Sequence, residues 1–415
     1  METFPFESIC EGLFKKIFNR QVQMTLFQDA QTSPSPGAAA LAELLALFGA
    51  VADFAIGLPR GHSRRIARLT QSLAQVAELE PEERDAAAFA SLLHGIGALG
   101  NPAYRKHEPL AERAAEMSRW DVPADGARIC EKLTMLPPQT ADYVRWQTEC
   151  WDGSGSPDQL RWSGIPRAAQ LMHIAHSYLQ AGEAEEGLAK IVGQGGTSFS
   201  PELTRAFIMW FHTFSGEIDE LPLPVQSLRV SEDAEAVLLD LIADRIDLHN
   251  GAVGRWQRVA DRAARTAIEL GLDSAMQQTL ATSARLFGIG ELRAEMLESQ
   301  KFDALARLGR DERGRNAVAA AAVLEGFSEL QPVAAVLKAR AEWFDGTGLP
   351  LGLRREQIPL EARVLAPCIA YDAIVQAAHA QVRSERTVPL DRVEDGSGTQ
   401  FDPAVVRAHT QLGAA

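Results

Sequence analysis

The chain has 415 residues, is 46% hydrophobic and 7% aromatic, and carries a formal net charge of −14. That length leaves room for two or three domains, each large enough to bury its own core. The acidic balance argues against nonspecific attachment to DNA or RNA, which needs a basic face to neutralise phosphates. Four scattered cysteines, Cys10, Cys130, Cys150 and Cys368, suit neither a disulfide framework nor a CxxC metal knuckle and read as reduced thiols.

In chain order, residues 1–37 form a lead-in that ends in the linker composition Thr32-Ser33-Pro34-Ser35-Pro36-Gly37. Within it, Leu13, Phe14, Ile17 and Phe18 fall at helical spacing, a stripe expected to dock on its own domain or on a second copy of the chain rather than on a membrane. Residues 38–220 form a first unit. Stretches 64–79 and 84–95 carry apolar residues at three- and four-residue intervals, with almost no strand alternation. Leu221-Pro222-Leu223-Pro224 separates this unit from a second, residues 231–415, in which Ser231 is expected to cap the acidic turn Glu232-Asp233. Stretches 258–270 and 274–287 repeat the helical period. No uninterrupted apolar run reaches about 18 residues and no secretory signal opens the chain, so a cytoplasmic location is expected.

A shift of 193 positions lays the chain on itself. Asp152-Gly153-Ser154-Gly155-Ser156-Pro157 falls on Asp345-Gly346-Thr347-Gly348-Leu349-Pro350, and Leu93-His94-Gly95-Ile96-Gly97 falls on Leu286-Phe287-Gly288-Ile289-Gly290. Gly61-His62 falls on Gly254-Arg255, and Ile165-Pro166 on Ile358-Pro359. One ungapped register through separated segments marks a tandem duplication. Phe199-Ser200-Pro201 and Phe401-Asp402-Pro403 recur at a longer offset, which implies an insertion between about 380 and 400 in the second copy.

The order of these motifs carries a family resemblance. A His opens a helix, Leu-Leu-His-x-Ile-Gly follows, and then Glu-x-x-Asp-Gly-x-Gly-x-Pro, Ile-Pro and Phe-Asp-Pro. This resembles the HD-GYP branch of the HD phosphohydrolase superfamily, twice over and across nearly the whole chain. Trp343 to Pro350, followed by Gly352-Leu353 and Gln357-Ile358-Pro359, is the most specific stretch. Ala52-Asp53 and Gly57-Leu58-Pro59 are also similar to HD modules of LuxR-type regulators, whose C-terminal DNA-binding helices have no counterpart here. The resemblance implies an all-α chain of two tandem HD-domain-like helical bundles. It also implies an ancestry of metal-dependent phosphodiesterases that open cyclic di-GMP on a cluster of two or three metal ions, usually iron or manganese.

Carried over position by position, that cluster is depleted. His62 retains a ligand place, but the His-Asp pair has become His94-Gly95, so the bridging carboxylate is missing. Ala98, Val122, Gln147 and Thr148 stand where a lysine and three histidines are usual, Glu149 survives, and His176 takes the place of the final aspartate. In the second copy the corresponding residues are Arg255, Phe287, Gly288, Glu291, Arg315, Arg340, Ala341 and Ile369, none arranged to hold metal as the family does.

Two readings of His62, His94 and His176 stay open: a residual site for one divalent zinc, iron or manganese ion, or a polar pocket closed by hydrogen bonds, with no resident cofactor. His173 stands nearby and is either a substitute ligand or exposed; His107, His212, His249, His379 and His409 are expected at the surface. The two loops with Glu149, Asp152, Gly153, Gly155 and Pro157, and with Glu342, Asp345, Gly346, Gly348 and Pro350, are retained either for their own architecture or as a contact surface for a signalling partner. Arg255, Arg315 and Arg340 would make an anion pocket if they converge, and otherwise are solvated or ion-paired.

The function expected from these residues is a catalytically silent signalling or scaffold module, binding a protein partner, with a cyclic dinucleotide and a second copy of the chain as further candidates. The competing expectation is a weak metal-dependent phosphohydrolase working from the first copy.

Overall fold

The computed structural model describes residues 35–101, 121–214, 223, 227–292, 311–380 and 389–413. The stripe at Leu13–Phe18, Cys10, His107, the His379 side chain, most of Leu221–Pro224 and the segment 381–388 lie outside the described residues. Among the described residues each copy contributes eight α-helices. They are α1 Pro36–Ile56, α2 His62–Val76, α3 Pro81–Leu92, α4 Val122–Cys130, α5 Thr140–Arg145, α6 Arg167–Gln180, α7 Ala184–Gly193 and α8 Pro201–Phe214. The second set is α9 Ala234–His249, α10 Arg255–Glu269, α11 Ser274–Leu286, α12 Glu312–Leu324, α13 Gln331–Ala339, α14 Leu360–Ala380, α15 Pro389–Asp395 and α16 Pro403–Gln411. The all-α duplication expected from the sequence is the observed architecture: α2 and α10 begin and end 193 residues apart.

The helices form where the pattern and the caps agree. Asp121 opens α4 by accepting from the Ala124 N–H, and Asp273 opens α11 by accepting from Met276. Ser231 does not cap a helix; its hydroxyl donates to Asp233, and α9 starts only at Ala234. The acidic pair there makes a turn before the helix because Ser231 spends its side chain on Asp233.

Each copy packs α2 against α3 and α6, or α10 against α11 and α14, and one apolar cluster runs through both copies. Helix α1 lies at its centre, with Leu41, Leu45, Phe48, Val51 and Ala52 fully buried. By length and composition α1 would suffice to cross a bilayer, with hydropathy 1.9, yet its best window is 67% buried inside the fold and it packs against α9 and α12. Between the copies, Arg245 donates to the Leu99 carbonyl and pairs with Asp125 at 2.8 Å, while the Gly100 N–H donates to His249 Nδ1 at 3.3 Å. The copies thus lie side by side through α1 and α9.

Glycine permits a close backbone approach at the same place in each copy. A Cβ on Gly97 would sit 2.0 Å from the Val122 carbonyl oxygen, and one on Gly290 would sit 1.9 Å from that of Asn316. The Ile-Gly motif therefore survives because the turn carrying it presses directly onto α4 or α12.

Candidate functional site

Three elements converge in the first copy. His62 is the first residue of α2, His94 lies in the turn after α3, and His176 is on α6. Their candidate ligand nitrogens all lie within 4.8 Å of one another, and the ring centroids are 5.2–5.5 Å apart. His62 and His94 are buried and His176 is half-buried.

The cluster is held from behind. Asp53, near the end of α1, accepts from the Ser63 N–H at 2.8 Å and from the Ser63 hydroxyl at 2.7 Å, fixing the start of α2 beside His62. Burial raises the Asp53 carboxyl to about 7 against the opposing Ser63 bonds. His94 Nδ1–H donates to the Ser91 carbonyl at 2.9 Å, which leaves Nε2 with a free lone pair. Gln147, at a place where the family has histidine, is now a strut: its amide donates to the carbonyls of His94, at 3.0 Å, and Val144, at 2.9 Å. Carried over position by position, the motifs imply that the outer support of the ligands is missing; His94 nevertheless has such support, supplied by the Ser91 carbonyl and the Gln147 amide, which no motif announces.

Protonation favours ligation. Burial first, then the neighbouring histidines, lowers His94 to about 3. Burial, then His62 and His173, lowers His176 to about 4, and burial with Arg65 lowers His62. All three are neutral imidazoles at pH 7. His62 Nε2 is buried without a hydrogen-bond partner, an atom that a cation would satisfy, whereas His176 Nε2 accepts from the Gln180 amide at 3.0 Å. One metal fits this donor set. Zinc–nitrogen bonds of about 2.0–2.1 Å would bring the nitrogens to roughly 3.4 Å, within reach of small rotamer shifts. A second does not fit: Gly95 supplies no carboxylate, and a Cβ there would face Ala52 and Ile56, an apolar surface. His173 takes no part; its Nδ1–H donates to the Glu149 carbonyl at 3.1 Å and its ring packs on Phe199.

In the second copy the same three places hold Arg255, Phe287 and Ile369. Arg255 pairs with Glu291 at 2.6 Å and lies over the Phe287 ring at 4.8 Å, while Arg258 pairs with Asp372 at 2.5 Å. An ion pair and an apolar ring occupy the metal position, so no metal fits. Arg340, in Gln147's place, lies within electrostatic reach of Arg255 and Glu291; Arg315 is half-buried on α12 beside Asn316.

The two loops are built alike. Glu149 accepts from the N–H groups of Asp158 (2.6 Å) and Leu160 (3.0 Å), and Glu342 accepts from Leu351 and Leu353. Asp152 takes Ser154, and Asp345 takes Thr347, through both backbone and hydroxyl. A Cβ on Gly155 or Gly348 would strike the backbone nitrogen of Cys150 or Trp343 at 2.2 or 2.0 Å. Pro157 and Pro350 each follow a cis peptide bond. Glu149 is therefore a loop anchor. Two histidines expected outside are inside: His249 at the contact between copies, and His409, fully buried, where it accepts from Arg262 Nε at 2.9 Å. Neither shows in the sequence because its partner lies far along the chain.

A family model described as HD domain matches residues 53–191 and 236–405, one segment in each copy. Among curated relatives, a 3'3'-cGAMP-specific phosphodiesterase 3 of Vibrio cholerae is 26% identical over 67% of this chain and 64% of its own length. The cyclic di-GMP phosphodiesterase response regulator RpfG of Xanthomonas campestris is 26% identical over 45% of this chain and 51% of its own. The chain thus spans less than two-thirds of the length of these relatives. A crystal structure of a cyclic GMP-AMP-specific phosphodiesterase from V. cholerae, V-cGAP3, superposes with a TM-score of 0.63 at 19% identity, covering 89% of this chain and 97% of that one.

Proposed function

The chain belongs to the HD-domain family, in the HD-GYP manner and through both of its copies, and we propose that it acts in cyclic-dinucleotide signalling as a receptor with a one-metal pocket. His62, His94 and His176 would hold a single divalent ion in the first copy, and the ligand would be a cyclic dinucleotide presented to that pocket. The observation that carries this reading is the convergent trio of neutral imidazoles beside Gly95, where a bridging carboxylate would be needed for a second metal.

When bound, such an ion supplies Lewis-acid polarisation of a phosphodiester oxygen. The chain's own residues set its surroundings. Ser91 fixes the His94 tautomer, Asp53 and Ser63 fix the start of α2 at His62, and Gln147 fixes the His94 backbone. Without a second carboxylate-bridged ion, binding is expected to outlast turnover. A second reading, slow phosphodiester hydrolysis, is favoured by one feature: three protein ligands with an open position is the ligand count of hydrolytic zinc sites.

Output to a protein partner belongs to the same proposal. The buried Glu149 and Glu342, each spent on its own loop's backbone, support an architectural role for the chemistry the two copies share, which leaves the exposed faces around them for such a partner.

Titration calorimetry of cyclic di-GMP and 3'3'-cGAMP into metal-loaded chain tests the proposal, with chromatography of the same sample for linear product. Saturable binding lost in His94→Ala, with no product, supports the receptor. Product formation that also depends on His94 transfers support to the slow enzyme, and absence of any binding refutes both.

A further inference from the structure

The second copy has lost its metal ligands without becoming apolar. Arg340 is half-buried as a residue, yet its Nε and Nη2 are sealed from solvent and have no acceptor among the described residues. A guanidinium cannot shed its charge, so two buried donors without partners are a standing cost. Burial pulls its pKa below the usual range, with Glu291 opposing and Arg255 adding to the fall. The two arginines thus share one carboxylate: Arg255 binds Glu291 directly at 2.6 Å, and Arg340 feels it only through space. The other acid near Arg255, Asp372, lies 4.0 Å away and is engaged by Arg258 at 2.5 Å. Asp247, also within the field of Arg255, is turned to the Trp256 N–H at 2.8 Å.

We propose that the former metal pocket of the second copy is an oxyanion site, in which the Nε and Nη2 groups of Arg340 grip a phosphate group in the planar two-donor fashion of guanidinium and Arg255 supplies the second cation. The site needs no metal and is independent of the first-copy reading. It accounts for an arginine with two buried, unpartnered donors where the other copy has Gln147, a residue whose amide donors are both satisfied by carbonyls. Glu291 is the competitor that a bound anion must share Arg255 with, and this makes the site tunable.

The test uses the full chain treated with EDTA, so that the first copy contributes no metal, and titrates inorganic phosphate at constant ionic strength. Saturable binding and a phosphate-dependent rise in Tm are expected. Arg340→Met should weaken phosphate binding at least about tenfold and, by removing a guanidinium without partners, leave Tm in phosphate-free buffer unchanged or higher. Glu291→Gln should tighten binding by about tenfold, because it removes a like charge next to the anion. That gain is one a merely structural arginine would not produce, and it holds the test open if Arg340→Met folds poorly. Phosphate binding that is absent, or unmoved by either substitution, overturns the site. Competition then identifies the source. Displacement by cyclic di-GMP marks the phosphate as a nucleotide's, and failure to displace marks it as free phosphate.

Discussion

Replacing Glu342 by Gln removes one oxygen from a carboxylate that accepts two backbone N–H groups, those of Leu351 and Leu353. The amide keeps one acceptor and turns an NH2 group toward the other N–H, so one charge-assisted bond is lost and a buried donor is left unpaired. Each such bond contributes about 1.5–3 kcal/mol. Burial raises the Glu342 pKa against those same backbone bonds, so the carboxylate itself carries a desolvation cost that Gln relieves. A net loss of about 2 kcal/mol follows. Glu149→Gln, whose bonds run to Asp158 and Leu160 in the same geometry, should cost about as much. Urea denaturation should show a lower midpoint with an unchanged slope for each, and the two losses should add in the double variant because the loops belong to different copies. Hydrogen exchange should quicken at residues 150–160 in one variant and 343–353 in the other. If both variants unfold within about 0.5 kcal/mol of wild type, the loops are not held by these carboxylates and their architectural account fails.

Gly348→Ala and Gly155→Ala should each destabilise by more than about 2 kcal/mol, read in the same denaturation, since the new methyl meets backbone rather than a yielding side chain. Arg245→Ala should cost about 1–3 kcal/mol and loosen the contact between copies, seen as faster exchange at Leu99 and Gly100, because it strips the Leu99 carbonyl and Asp125 of their shared donor. Asp247 has a folded pKa raised by burial to about 6. A raised carboxyl pKa means the folded state binds the proton more tightly, so stability is fullest below the unfolded value near 4 and falls as pH rises through about 6. Relative to Asp247→Asn, wild type should therefore lose on the order of 2–3 kcal/mol between pH 4 and pH 7, and a flat difference would contradict the burial argument.

The fold was legible because both of its signals are local. The helical period at 258–270 and 274–287 and the register between the copies needed no knowledge of long-range contacts, and α10 and α11 lie at Arg255–Glu269 and Ser274–Leu286. The three histidines were legible through their motif places, and the structure brings them together. What failed depended on partners distant in sequence or on backbone atoms. His249 and His409 are buried by Gly100 and Arg262. The support of His94 comes from a carbonyl and from Gln147, which a search for histidine at that place reads as a loss. Ser231 looked like a cap because composition alone does not show which acceptor a hydroxyl chooses.

Metal content per chain, measured by mass spectrometry on protein purified with zinc, iron and manganese supplied, bears most directly on the proposed centre. About one ion per chain is expected, falling close to zero in His62→Ala and in His94→Ala while Arg255→Ala leaves it unchanged. Two ions per chain, or one that survives loss of His94, would contradict it.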